Sequence, residues 1–129
     1  MMSSNSDYKI VAKPSNKGAF LSLYFSETNE QKQYKCYTLA LGCKLLIDPT
    51  TKKFRVLQIP IHSLGCELQN TSFLAQYEAT DCFVISLRSL SPEDRVKTKV
   101  DYMDSIIFDT QDDKIVRIEI IGVSQLLDL

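Results

Sequence analysis

SIIFDTQDDKIVRIEIIGVSQLL, residues 105–127, decides how this chain is read. An apolar run ends at Asp109, a polar turn follows, and an alternating run leads to Ser124 and a pair of leucines. Alternation of period two marks a strand with one buried face. The short TQDD between the runs joins them as a hairpin, because Asp hydrogen-bonds its own backbone in turns. Over residues 114–121 the pattern places Val116, Ile118 and Ile120 inward, with Ile115, Arg117, Glu119 and Ile121 outward. GVSQLLDL then predicts a short terminal helix, capped by Ser124 and docked by Leu126, Leu127 and Leu129.

A weaker version of this unit occupies residues 44–64, KLLIDPTTKKFRVLQIPIHSL. LLID at 45–48 aligns with IIFD at 106–109 at a spacing of 61, where Lys53 also meets Lys114, Ile59 meets Ile120 and Ser63 meets Ser124. Upstream, FLSL at 20–23 matches VISL at 84–87 at a spacing of 64, with Ile10 opposite Leu74. Matches in the same order predict two related halves, about residues 8–64 and 72–128, inside a single domain spanning 1–129. Two copies are too few for a stacked array. A half of about 60 residues is marginal alone, and pairing about a two-fold axis gives each apolar face a partner.

Aromatic and apolar content makes further strands of residues 8–12, 19–25, 34–41, 72–79, 81–89 and 96–102. KPSNKG at 13–18 and DPTTKK at 48–53 carry turn chemistry. FRVLQIPI, 54–61, alternates strictly, with Phe54, Val56 and Gln58 on one face and Arg55, Leu57, Ile59 and Ile61 on the other. LSPEDR, 90–95, has a helix-start signature. The expected fold class is α+β, mainly β: two related β-rich halves packed as one small sandwich or barrel-like domain with short helices.

Composition narrows function by exclusion. The 129 residues are 44% hydrophobic and 24% charged, as in an ordinary folded domain, with a net charge of -1. A basic excess suited to nucleic acid or an anionic membrane is missing, so neither is expected as a partner. No apolar run approaches the roughly 18 residues that cross a bilayer. The N-terminus MMSSNSD is not a secretory signal, so a cytoplasmic location is expected. Cys36, Cys43, Cys66 and Cys82 form no C-x-x-C pair and are expected as reduced, mostly buried thiols. The sequon at Asn70 then carries no meaning.

The second half resembles a family of small bacterial and archaeal domains, domain of unknown function 2283. Tyr77, Asp81, Phe83, Val84, Ile85 and Leu87 fit the first part of its pattern. Ile107, Asp109, Lys114, Ile115, Val116, Ile118, Glu119, Ile120 and Ser124 fit the second. The likeness covers roughly residues 73–127, and reaches 8–64 through the internal repeat alone. Two glycines usual in the family are replaced, one by Asp112 or Asp113 and one by Arg117. The resemblance implies a compact sheet with a short helix and no particular reaction. Some members resemble companions of small toxin proteins, which implies an antitoxin-like binding role.

Candidate chemistry is sparse. His62 stands alone, without neighbours at ligand spacing, and reads as a surface or packing residue. Asp101, Asp104, Asp109, Asp112 and Asp113 lack the alternate spacing and turn glycine of a calcium loop. Tyr24, Phe25, Tyr34 and Tyr37 near Lys32 and Lys35 could stack on single strands, but strand packing explains them more simply. Glu119, with Arg117 beside it, is the candidate ligand-binding site; its counterpart Gln58 cannot ionise. No phosphate-cradling or nucleophile motif occurs, so no catalytic residue, metal or cofactor is assigned. The expected function is a non-enzymatic, cytoplasmic interaction module that binds a protein partner, or self-associates, through strand edges. The alternative is a small-ligand module with its pocket at the seam between the halves. An enzyme built around Glu119 ranks last.

Overall fold

The computed structural model describes residues 8–15, 17–26, 33–69, 71–78 and 81–127. Strands follow the chain as β1 (Tyr8–Pro14), β2 (Phe20–Tyr24), β3 (Lys35–Thr38), β4 (Lys44–Ile47), β5 (Phe54–Pro60), β6 (Ser72–Glu78), β7 (Cys82–Ser86), β8 (Lys97–Asp101), β9 (Ile106–Gln111) and β10 (Lys114–Ile121). Helix among the described residues is confined to the 3-10 turns Ala40–Gly42 and Ile61–Ser63 and the four-residue α1, Val123–Leu126. The fold is therefore mainly β. LSPEDR forms a turn in which Asp94 N–H donates to Ser91 O and Ser91 N–H to the Asp94 carboxylate.

The strands form one antiparallel sheet ordered β3-β4-β5-β2-β1-β6-β7-β10-β9-β8, curled into a half-barrel. Two sheets packed face to face are not what forms. Instead β1 and β6 pair directly and continue one sheet through the middle of the chain. Their register sets Ile10 opposite Phe73 and Lys9 opposite Leu74. Ile10 is fully buried and Leu74 is 57% exposed, so the alignment that equated them is out of phase by one residue and places them on opposite faces. The LLID and IIFD likeness fails differently. Asp48 lies in the turn after β4, whereas Asp109 lies inside β9, because the second hairpin turn is shorter.

One core serves the whole chain. Ile10, Ala12, Leu21, Leu23, Leu45, Leu57 and Ile59 from the first five strands join Phe73, Ala75, Phe83, Ile85, Phe108, Ile118 and Ile120 from the last five. Period-two alternation places most of these inward. At two sites it breaks. The β4–β5 ladder shifts register between Leu46 and Ile47, and the β9–β10 ladder between Ile115 and Arg117. Each bulge adds one residue to a strand, bending it and increasing the local twist that curls the sheet. Phe54 thus joins Leu57 and Ile59 in the core, and Ile115 joins Ile118 and Ile120. The strict alternation expected for FRVLQIPI and KIVRIEII is corrected accordingly: Val56 and Val116 are buried, but outside the main cluster.

The two ends of the sheet meet through side chains. Tyr37 on β3 packs edge-on to Tyr102, just after β8, at 5.5 Å between centroids, and Tyr102 also meets Phe54 at 5.3 Å. The Asp101 carboxylate accepts the Ala40 N–H at 2.6 Å across the same gap. Tyr102, Met103 and Asp104 are three successive left-handed residues, which costs on the order of 1–2 kcal/mol each. The seating of Tyr102 against Tyr37 and Phe54 offsets that strain. Lys35 on one terminal strand and Lys97 and Lys99 on the other discourage further pairing at the edges. The TQDD turn is a two-residue connection with Asp112 and Asp113 both at positive φ.

Candidate functional site

Arg117 and Glu119 alternate along β10 on the outer face of the sheet. Arg117 does not pair with Glu119. Its Nε donates to Asp109 Oδ2 at 2.6 Å, and Thr98 Oγ1 donates to Asp109 Oδ1 at 2.8 Å. The Asp109 carboxylate is buried, so these two partners compensate its charge. Glu119 sits half-buried between Val84 on β7 and Ile107 on β9. Gln58, expected as its counterpart, lies between Ser22 and Lys44.

The first half carries a second buried carboxylate. Asp48 Oδ1 accepts the Thr50 and Thr51 backbone N–H groups, and Asp48 Oδ2 faces Arg55 Nη2 at 3.4 Å. Arg55 Nη1 donates to Ser26. This side chain is 13% exposed, and its position in the β5 bulge folds it back over the turn.

Three residues of the family-like pattern converge at the β6–β7 turn. Tyr77 donates its hydroxyl to Asp81 Oδ1 at 2.9 Å, and Ser124 donates its hydroxyl to Asp81 Oδ2 at 2.6 Å. The Ser124 N–H also donates to the Asp81 carboxylate, while the Gly122 and Val123 amides donate to the Asp81 carbonyl. Asp81 is left-handed, with φ 59. Ser124 was expected to cap α1; Asp81 performs that task from a distant turn. Leu127 docks into the core, Leu126 packs on its edge, and Leu129 lies outside the described residues. The Ser124 hydroxyl holds the Asp81 carboxyl below its ordinary 3.8, working against desolvation and helped by Tyr77 and the Ser124 amide. The hydrogen bond that Tyr77 donates to Asp81 raises the phenol above its ordinary 10.0.

A group with a depressed folded pKa stabilises the fold above its unfolded pKa and loses that contribution as pH falls through the folded value. Wild type is therefore expected to melt above Asp81→Asn at neutral pH, with the difference shrinking below pH 3.8. Thermal melts of both proteins from pH 2 to 7 check this; a difference constant over that range would remove the carboxylate from the account.

On the outer face of the central strands a groove of about 490 Å³ is lined by Tyr8, Lys9, Val11, Lys13, Tyr24 and Phe25, together with Ser26. Val11 faces Tyr24 across β1–β2, and Leu74 follows diagonally across β1–β6. Val11 is 41% exposed. Lys13 Nζ stands 5.5 Å from the Tyr24 ring centre, a cation–π contact, and the Tyr8 hydroxyl donates to Phe25 O at 2.9 Å. Every lining residue comes from the first half, so the groove lies beside the seam. Sequence reading missed it, because only the β1–β2 register brings Val11 and Lys13 beside Tyr24.

Comparison with known protein families, with curated proteins and with solved structures found no match.

Other candidates are dispersed. Phe25 is in the core and Tyr37 turns toward Tyr102, so the aromatics named with Lys35 form no stacking row; Lys32 lies outside the described residues. Asp101 binds backbone amides, and Asp112 and Asp113 occupy the hairpin turn. Among the described residues no three His, Cys, Asp or Glu side chains group as metal ligands. His62 is exposed beside Gly42, and its carbonyl accepts from Lys114 Nζ at 3.2 Å. Cys43 and Cys82 are buried, Cys66 is half-buried and Cys36 is exposed on β3. Burial, with Asp101 adding to it, pushes the Cys43 thiol up to about 12, so it is unreactive near neutrality. Asn70 of the sequon lies outside the described residues. No helix among them is long and apolar enough to cross a membrane.

Proposed function

We propose that the chain is a fused pair of related halves acting as a non-enzymatic, cytoplasmic binding module, with a protein partner seated on the outer face at the seam. The observation that carries the reading is the exposed pair Val11 and Leu74, diagonal neighbours across β1–β6, flanked by Lys9, Lys13 and Tyr24. Isolated exposed apolar residues are ordinary, but adjacent ones bordered by charge mark interaction surfaces. The flanking lysines favour a partner segment that presents an apolar side chain beside carboxylates. Lysines on β3 and β8 make the strand edges the weaker docking place.

Duplication is supported by several correspondences. Each half contributes five adjacent strands in mirrored order from the centre. The bulges fall at matching places in β5 and β10. Ile61 N–H donates to Ala19 O as Gly122 N–H donates to Asp81 O. Lys53 Nζ reaches Ser124 O, and Lys114 Nζ reaches His62 O, so each half closes on the other. Equivalent residues lie 63 apart at Ile10 and Phe73, 62 at Leu23 and Ile85, and 61 at Ile59 and Ile120. The convergence of Tyr77, Asp81 and Ser124 supports kinship with the domain of unknown function 2283 family, and with it an antitoxin-like role.

A photo-crosslinking amino acid at position 74, tested in the native host, is expected to give one adduct of defined mass. The same group at Met103, 88% exposed at the far turn, is expected to give none. Equal adducts from both positions, or none from 74, would refute the reading. The alternative, a small ligand in the groove, rests on its volume of about 490 Å³, which lies in the range of small-molecule sites. It predicts no protein adduct from position 74 and ligand-induced shifts at Tyr24.

A further inference from the structure

The two buried aspartate–arginine pairs differ in one respect that bears on function. In the first half both arms of the Arg55 guanidinium are engaged, by Asp48 and by Ser26. That pair is a clip between a turn and a strand. In the second half Asp109 takes only Nε of Arg117, while Thr98 holds the other Asp109 oxygen. Both Nη groups of Arg117 lack a hydrogen-bond partner among the described residues, and the side chain is 35% exposed. A guanidinium fixed by a buried carboxylate at one edge, with its other donors unspent, is a pre-organised fork.

That fork borders an open cavity of about 440 Å³ on the outer face, lined by Ser86, Arg88, Ser89, Leu90 and Arg117. Ser86 lies directly opposite Arg117 across β7–β10. Arg88 follows where β7 ends, with Nη1 on Ser89 O at 3.2 Å. The lining thus holds two guanidinium groups, two hydroxyls, one apolar wall and no carboxylate. Asp94, whose charge Arg88 favours, already accepts from Gln111 Nε2 at 3.0 Å and from the Ser91 amide at 2.8 Å.

We propose that this cavity is an oxyanion site for a small molecule bearing a carboxylate or phosphate group, clasped between Arg117 and Arg88, with its apolar part against Leu90. Planar forks match both oxyanions in bidentate fashion. The site is independent of the partner groove, whose lining it does not share.

Side-chain NMR of arginine Nε and Nη groups, recorded during titration of the full chain, tests the site. Phenyl phosphate and benzoate serve as probes, with sodium chloride at matched ionic strength as the control. Saturable shifts confined to Arg117 and Arg88 are expected with at least one probe, and the stronger of the two identifies the head group. Arg117→Gln and Arg88→Gln should each weaken binding about tenfold or more, and Arg117→Lys should lie between wild type and Arg117→Gln, because it keeps charge without the planar fork. Lys97→Gln, outside the cavity, should change nothing. Arg88 lies at the start of the β7–β8 loop, outside the strands, so its variant keeps the test available if Arg117→Gln fails to fold. Shifts that track ionic strength at all arginines alike, or unchanged affinity in a folded Arg88→Gln protein, would overturn the proposal.

Discussion

Replacing Phe54 with alanine is expected to lower the free energy of unfolding by about 3–5 kcal/mol, a large share of the 5–15 kcal/mol typical of a domain. Phe54 is fully buried, and its ring meets Phe25 at 6.4 Å and Tyr102 at 5.3 Å. The Tyr102 contact ties the bulged β5 to the turn between β8 and β9. The truncation therefore leaves a cavity at the junction, and it also removes the wedge that seats three left-handed residues at 102–104. Urea unfolding measures the effect. Val100→Ala, at a position 52% exposed, should stay within about 0.5 kcal/mol of wild type. A Phe54→Ala cost near that of Val100→Ala would show that the two ends of the sheet do not meet as described.

The second large effect concerns charge. Arg55→Leu removes the cation facing Asp48, whose side chain is 1% exposed. Breaking a buried pair by deleting one partner costs about 3–5 kcal/mol, since the remaining charge stays desolvated. Thr50 and Thr51 amides still hold one Asp48 oxygen, which places the expected loss at the lower end, about 3 kcal/mol. Adding Asp48→Asn in the same chain should recover part of it, because a neutral amide no longer needs the guanidinium. The double-mutant cycle, read by denaturant unfolding, checks both statements. Additive losses would mean that Asp48 and Arg55 stand independently.

All ten strands were legible as runs of alternating or continuous apolar residues, because eight of them contribute a buried face to one core, while β3 and β8 cover its rim with exposed or half-buried side chains. Their order about the centre was legible only in part. The repeated units pointed to two equivalent sets of strands, but spacing alone paired Ile10 with Leu74, and the period-two rule makes one residue of slip an exchange of faces. The bulges in β5 and β10 left no local signal. Neither Arg55 nor Val116 is a turn residue, so the core positions of Phe54 and Ile115 emerged only from the ladders. The site divides in the same way. Arg117 was singled out with Glu119 as its companion, because same-strand spacing was the only guide. Its partner Asp109 comes from the neighbouring strand, and Arg88 from beyond the end of β7. Asp81 was present in the family-like pattern beside Tyr77 and Ser124. What those three share, a carboxylate that closes the last turn of the chain, needed the distances.

Native-state hydrogen exchange on the full chain tests the central claim most directly, that the first five and last five strands build one cooperative core through β1 and β6. The hydrogen-bonded amides of β1 and β6 are expected to exchange with the same free energy as those of β2 and β10, deep in either half, and that value should equal the global free energy of unfolding. One half opening at markedly lower free energy, with the β1–β6 amides exchanging alongside it, would contradict the account.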